Sequence, residues 1–286
     1  MKTREWSEHC GSLVENFQLA QARDDEIDKL RTLLAARGVL FFRDQDLPPA
    51  EHLRFARRFG EIVLNKFFMP VPGFPEIAEV RKEADQTTNI GGGWHTDHSY
   101  DEAPALGSIL VARILPESGG DTLFANMHSA SAALPDDLKR RVAKLIAVHS
   151  NVHIYGRGGY YQGTDLGNSL KGTDDVGSAK HPVIVRHPAT GGEILYVNPA
   201  HTTHIEGLDE DESGALLEQL YDHALRPEFQ CRFDWQPGSV AIWDNRSTWH
   251  FAENDYDGER RLMHRITLGG APFPSNDGET ASNSGA

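Results

Sequence analysis

Cysteine is nearly absent from this chain: Cys10 and Cys231 are the only two in 286 residues. Two cysteines build neither a disulfide framework nor a cysteine-rich zinc site, and their scarcity fits a reducing, cytoplasmic setting. Long apolar runs are missing too. Nothing approaches the ~18 consecutive apolar residues that would span a membrane. The opening Met1-Lys2-Thr3-Arg4-Glu5-Trp6 leads into no apolar h-region, so no secretory signal is read there. Positive charge is also in short supply. The 28 Lys+Arg against 42 Asp+Glu leave a net charge of −14. Nucleic-acid binders usually carry a basic patch, so this balance argues against a phosphate-backbone partner. Basic residues near a site can still hold a small anion locally. Hydrophobic and charged fractions of 39% and 24% are those of an ordinary soluble enzyme, and the length suffices for one large domain or two small ones.

Along the chain, Asp24-Asp25-Glu26 opens a helix with apolar positions at Ile27, Leu30, Leu33 and Leu34. Acidic residues in its first turn suit the helix dipole, and Gly38 stops it. Val39-Leu40-Phe41-Phe42 reads as a buried strand. Pro48-Pro49 starts a second helix, with Leu53, Phe55, Ala56 and Phe59 inside and Gly60 at its end. From about residue 75 the pattern is β-rich. Strands are expected at 77–80, 106–115, 122–125, 183–187, 194–198, 231–235, 239–243 and 262–268, with helices at 135–148 and 209–225. Short strands separated by turn signals suggest a sandwich or barrel. The Gly-rich, polar stretch 154–180 reads either as a lid over a site or as a plain surface loop. The tail 275–286 is low in apolar residues and is expected to be disordered, which leaves 1–274 as a single domain.

The chemistry concentrates in Gly93-Trp94-His95-Thr96-Asp97-His98-Ser99-Tyr100. In an extended strand residues i and i+2 share a face, so His95 and Asp97 can reach one point. This is the local half of a site with two histidines and one carboxylate, which leaves positions open for small ligands on ferrous iron. About two His-x-Asp/Glu triplets are expected by chance at this composition, so context must decide. His204-Ile205-Glu206 is the rival. It runs into Gly207-Leu208-Asp209, which resembles a helix start, whereas the first triplet follows Gly91-Gly92-Gly93 and precedes a long apolar strand.

A third ligand must come from afar. The strand-to-turn segment 240–250 ends on His250, and Arg261 and Arg265 follow on what would be one strand face. Two inward guanidiniums are costly unless they meet anions. A dicarboxylic cosubstrate and an anionic substrate would meet that demand. The bland alternative is two surface arginines paired with Glu253, Asp255 or Glu259.

Several spaced motifs together resemble the taurine/2,4-dichlorophenoxyacetate dioxygenase family of iron(II)- and 2-oxoglutarate-dependent oxygenases, over nearly the whole chain. They are Gly38-Val39-Leu40-Phe41-Phe42-Arg43-Asp44-Gln45, Arg58-Phe59-Gly60-Glu61, Trp94-His95-Thr96-Asp97, Gly119-Gly120-Asp121-Thr122, Trp243-Asp244-Asn245-Arg246 and Arg260-Arg261-Leu262-Met263-His264-Arg265. The resemblance implies a mainly β chain with flanking helices around a double-stranded β-helix (jelly-roll) core, and a dimer or tetramer as its assembly. It implies that His95, Asp97 and His250 bind Fe(II). Thr122 and Arg261 match residues that hold the distal carboxylate of 2-oxoglutarate, and Arg265 matches an arginine facing the anionic end of the substrate. The implied reaction couples O2 and decarboxylation of 2-oxoglutarate to succinate and CO2 with hydroxylation of a substrate carbon. Where that carbon bears an oxygen or sulfonate leaving group, the product fragments. Retention of Asp97 argues for hydroxylation over halogenation.

The substrate positions depart from the taurine pattern. His98 follows the metal carboxylate where an aliphatic residue is usual, His201 sits where an aromatic ring is usual, and around Asn65-Lys66-Phe67-Phe68 there is no match to the taurine-binding histidine. His98, Tyr100, His201 and Arg265 are therefore the candidate substrate residues, against a reading of the first three as rim or packing groups. The expected substrate is a small organic anion: a carboxylate, aryloxyalkanoate, sulfonate or sulfate ester. Two alternatives stand beside this. The same cofactors could drive desaturation, epimerisation or ring closure, or a barrel of this kind could bind a metal for sensing without oxygen chemistry.

Overall fold

Strands apolar at nearly every position occupy the middle of the molecule because both of their faces are covered. The computed structural model describes residues 1–167 and 170–274; the tail 275–286, expected to be disordered, lies outside the described residues. Val39–Phe42 pairs antiparallel with Val240–Asp244, which pairs with Gly107–Ile114, which pairs with Arg261–Leu268. Beyond these the sheet continues through Phe74–Lys82 to Pro70–Val71 on one side and through Ser12–Glu15 to Lys2–Glu5 on the other. Ser12–Glu15 joins Val39–Phe42 in parallel. Ile62–Val63 completes nine strands among the described residues.

The period-2 alternation sorts these side chains between two cores. Leu40, Phe42, Ile109, Val111, Val240, Ile242 and Ile266 point to one face. There they meet Ile27, Leu30 and Leu34 of the helix Asp24–Arg37 and Phe55, Ala56 and Phe59 of the helix Pro49–Phe59. Both helices begin and end where the sequence places them. Gly38 stops the first at φ 76, and a Cβ there would lie 2.7 Å from the Thr248 hydroxyl, so the position needs glycine twice over.

The opposite face carries Val39, Phe41, Leu110, Ala112, Ala241, Trp243 and Met263. It packs on a second, three-stranded sheet ordered Gln230–Phe233, Thr122–Asn126, Thr248–Ala252. Phe41 stacks on Phe233 at 4.2 Å between centroids, and both are fully buried. Each such ring stabilises the sandwich by about 1.5–3 kcal/mol through burial. The two β layers form the jelly-roll core that the motifs imply. A third core lies outside the small sheet, under the helix Glu210–Ala224 and around Trp249.

Several expectations fail. The segment 135–148 is not one helix: Asp136–Val142 is helical, and Ile146–Ser150 is a strand flanked by Ser178–Pro182 and Thr202–Ile205. The alternation of buried Ala147 and His149 with half-buried neighbours is the β signal that the Leu/Ile-rich run concealed. The strands Lys2–Glu5 and Ser12–Glu15 were not legible, being short, partly polar and near the terminus. The stretch 154–180 is not wholly irregular. It holds the end of the short helix Val152–Tyr155, a 3-10 turn at Tyr160–Gly163 and the start of Ser178–Pro182, with residues 168–169 outside the described set.

Candidate active site

The triplet His95-Thr96-Asp97 does not sit in a continuous strand. His95 forms an isolated bridge with His250, donating its backbone N–H at 3.1 Å and accepting from the His250 N–H at 2.8 Å. Asp97 already lies in the turn that follows, and His98 has φ 60. The bridge thus registers the local half of the site against the middle of Thr248–Ala252, which carries His250. Thr96 fixes the chain between the two acid-base groups by donating its hydroxyl to the Asn245 carbonyl.

His95 Nε2 lies 3.7 Å from Asp97 Oδ1, and His250 Nε2 lies 3.8 Å from Asp97 Oδ2. One donor atom from each of the three side chains lies within 4.8 Å of the other two, and no other such group occurs among the described residues. Metal–donor bonds of about 2.0–2.2 Å put adjacent donors about 3 Å apart, so a slight inward rotation would bring all three onto one ion. Burial pushes both imidazoles down in pKa, His250 strongly, so each presents a neutral ring nitrogen. Burial alone would raise the Asp97 carboxyl, but the Arg265 guanidinium holds it well below the usual carboxylate range. Arg265 Nη1 donates to Asp97 Oδ1 at 3.2 Å and Oδ2 at 3.3 Å, and its guanidinium stacks over Phe68 at 5.3 Å. His95 Nδ1 meets the Gly93 carbonyl at 2.7 Å, which directs Nε2 toward the cluster.

Arg261 tells a second story. It is 5% exposed, and its Nε and Nη2 have no hydrogen-bond partner among the described residues. The carboxylates that could have claimed it are engaged elsewhere. Glu253 pairs with Arg232, Asp255 accepts from the Gly120 N–H, and Glu259 accepts from the Glu117 N–H. The surface-pair reading therefore fails. Burial lowers the Arg261 pKa, yet a guanidinium stays charged in proteins. Its neighbour Trp235 lies 5.8 Å from the guanidinium and donates Nε1–H to Thr122 Oγ1 at 2.9 Å. A buried cation with free donors, set against the tryptophan that holds a threonine hydroxyl, fits a carboxylate ligand of a planar, bidentate kind.

Next to His95 opens a cavity of about 590 Å³, lined among others by His201, Tyr155, Tyr161, Phe251 and the glycines 91–93. His201 borders it, with its Nδ1 unpartnered and its ring 6.3 Å from that of His95. Tyr100 packs behind His201 at 4.9 Å and does not reach the cavity lining. His98 turns to Asp101 at 2.8 Å and faces a separate hollow beside Glu61 and Gly269. The rival triplet is on a strand after all, through Ile205, but His204 and Glu206 are exposed and Glu206 pairs with Lys180.

Three contributors escaped the sequence reading. Ser108 donates to Asp97 Oδ2 at 3.2 Å. It is a polar residue inside an apolar strand, and that mismatch was its signal. Trp235 orients Thr122. Tyr155 lines the cavity and stacks on Phe67 at 4.4 Å.

A jelly roll that brings two imidazoles and a carboxylate together, with a buried unpaired arginine close by on the next layer, defines a 2-oxoglutarate-dependent dioxygenase. The family model described as "Taurine catabolism dioxygenase TauD, TfdA family" matches residues 3–267, and the chain belongs to that family. An alkylsulfatase of Acinetobacter baylyi is 34% identical over 274 residues, covering 94% of this chain and 85% of its own. An alpha-ketoglutarate-dependent 2,4-dichlorophenoxyacetate dioxygenase of Burkholderia sp. is 32% identical, over 90% of each chain. The crystal structure of a taurine dioxygenase from Burkholderia xenovorans superposes with a TM-score of 0.80 at 33% identity, over 97% of this chain and 94% of the other.

Proposed function

We propose that this chain is a cytoplasmic oxygenase that uses Fe(II), 2-oxoglutarate and O2 to hydroxylate a small organic anion, within one domain spanning residues 1–274. His95, Asp97 and His250 would hold the iron. Thr122 and Arg261 would hold the distal carboxylate of 2-oxoglutarate, and Arg265 would face the anionic end of the substrate. When bound, the metal supplies the redox chemistry that splits O2 and oxidises an unactivated carbon. The chain's own residues position and screen. Gly93 sets the His95 tautomer, Ser108 and Arg265 hold the Asp97 carboxylate ionised, and Phe124 and Trp243 close the rear of His250 at 6.4 and 4.7 Å. Substrate would enter the cavity beside His95, under the segment 154–180 acting as a lid.

One observation carries this reading: Arg261, buried with two donors free among the described residues and set against Trp235, which holds Thr122. A protein that used its metal for structure or sensing would have no need of a dicarboxylate clamp. The substrate class follows from Arg265 and from the relatives that act on alkyl sulfates and aryloxyacetates. Sulfate esters, aryloxyalkanoates, sulfonates and carboxylates are the candidates. The test is succinate release on a panel of such anions, together with the weak visible charge-transfer band that anaerobic Fe(II) and 2-oxoglutarate should give. His95→Ala, Asp97→Ala and His250→Ala should each abolish substrate-dependent succinate. Full activity in any of them removes that ligand, and turnover restricted to neutral or cationic substrates removes the anion.

A further inference from the structure

The two cysteines, remote in sequence, are adjacent in space. Cys10 Sγ and Cys231 Sγ lie 3.0 Å apart across a separation of 221 residues, and the residues are 0% and 7% exposed. Their surroundings are fixed on both sides. Cys10 stands in the turn joining Lys2–Glu5 to Ser12–Glu15. Arg37 clamps that turn, donating to the carbonyls of Ser7 at 2.6 Å, Glu8 at 3.1 Å and Gly11 at 3.1 Å. Trp6 Nε1 reaches the Arg232 carbonyl at 2.8 Å, next to Cys231 in the chain. Cys231 itself pairs with Phe124 in the small sheet. Neither sulfur has a role in the metal cluster or the cosubstrate pocket.

Two sulfurs 3.0 Å apart are already in contact and need to close by only about 1 Å to bond, whereas most thiol pairs never come within reach. We propose that Cys10 and Cys231 are an oxidisable thiol pair that closes into a disulfide and fastens the N-terminal hairpin to the small sheet. With hydrogen peroxide as oxidant, one thiolate attacks the O–O bond, giving a sulfenic acid and hydroxide. The second thiol then attacks that sulfur, the S–S bond forms, and the sulfenic oxygen leaves as water once protonated. Two thiol hydrogens and two electrons pass to peroxide, which ends as two waters. Burial and the adjacent thiol push the Cys231 pKa up, so thiolate is scarce and oxidation is slow. The pair would thus close slowly rather than act as a fast sensor. Its closed ring would span a separation of 221 in a chain of 286 residues, a long loop for which constraint of the unfolded ensemble is large.

The whole chain is exposed to hydrogen peroxide at neutral pH, without metal or denaturant. Remaining thiols are counted in denaturant, and the monomer is mapped by mass after non-reducing digestion. The expected result is loss of both thiols, loss of two hydrogens from the monomer, a peptide joining the two cysteines, and a thermal midpoint about 5–15 °C higher that reductant reverses. Cys10→Ala and Cys231→Ala should each keep the remaining thiol or gain oxygen on it, with no upward shift. Two persistent thiols, oxygen added to separate cysteines, or cross-linking only between chains would each overturn the proposal. None of these readouts depends on oxygenase activity, so the outcome is independent of the function proposed above.

Discussion

Arg265 and Asp97 form a buried ion pair at 3.2 Å, on side chains 7% exposed as whole residues, at the point where the two imidazoles converge. Asp97 therefore has a cation before any metal arrives. Removing the guanidinium, as in Arg265→Met, strands a carboxylate in low dielectric and should cost the metal-free protein about 3–5 kcal/mol. A divalent ion supplies the missing charge, so adding one should restore more stability to Arg265→Met than to the parent. Urea unfolding of both proteins, with and without metal, measures the difference. Equal metal effects would mean that Asp97 does not see the ion.

Arg261 should behave in the opposite way. Its buried donors are unsatisfied in the free protein, so replacing it with an apolar side chain of similar length relieves a penalty. Arg261→Met should keep or raise the thermal midpoint while weakening 2-oxoglutarate binding by about 100-fold. Calorimetric titration of metal-loaded protein gives the affinity. A stability loss with unchanged affinity would reassign Arg261 to the scaffold.

Tyr161 links the segment 154–180 to the metal-side rim by accepting the Gly91 N–H at 3.1 Å, and its ring stacks at 5.5 Å on Tyr155. Tyr161→Phe keeps the rings and loses that one acceptor. If this segment is a lid, KM for the organic substrate should rise a few-fold with kcat little changed, and cleavage at Arg157 by trypsin should quicken. A fall in kcat alone would point to a role in the chemistry instead.

Acid lability should come partly from His52, which is fully buried with no acidic group among the causes of its shift. Burial, helped by Arg113 and His264, lowers its pKa from 6.5 to about 3. The folded value lies below the unfolded one. The unfolded chain therefore binds the extra proton, and stability is full above pH 6.5 and falls as pH drops toward 3. His52→Leu should flatten that decline by about 1.4 kcal/mol per pH unit within this window. Unfolding free energies at pH 4, 5 and 7 test it, and an unchanged slope places the acid-sensitive group elsewhere.

Much of this was legible in the chain itself. Helix limits followed from Asp24, Gly38, Pro49 and Gly60, because caps and breakers act within a few residues. The apolar strands declared themselves because both faces are buried. His95 and Asp97 were visible as a spaced pair, although the strand that was to align them proved to be one bridge residue and a turn. The 135–148 error arose because a buried strand and a buried helix look alike in a short apolar run.

The sequence by itself settled the kinds of side chain available and where most segments begin and end, since those depend on neighbours a few bonds away. It did not settle which distant groups meet. That Arg265 answers Asp97, that Arg261 keeps two donors free among the described residues, that Trp235 holds Thr122, and that Cys10 touches Cys231 all depend on the register of strands tens to hundreds of residues apart. Packing of the two sheets decides that register, because a slip of one residue would turn every side chain to the other face.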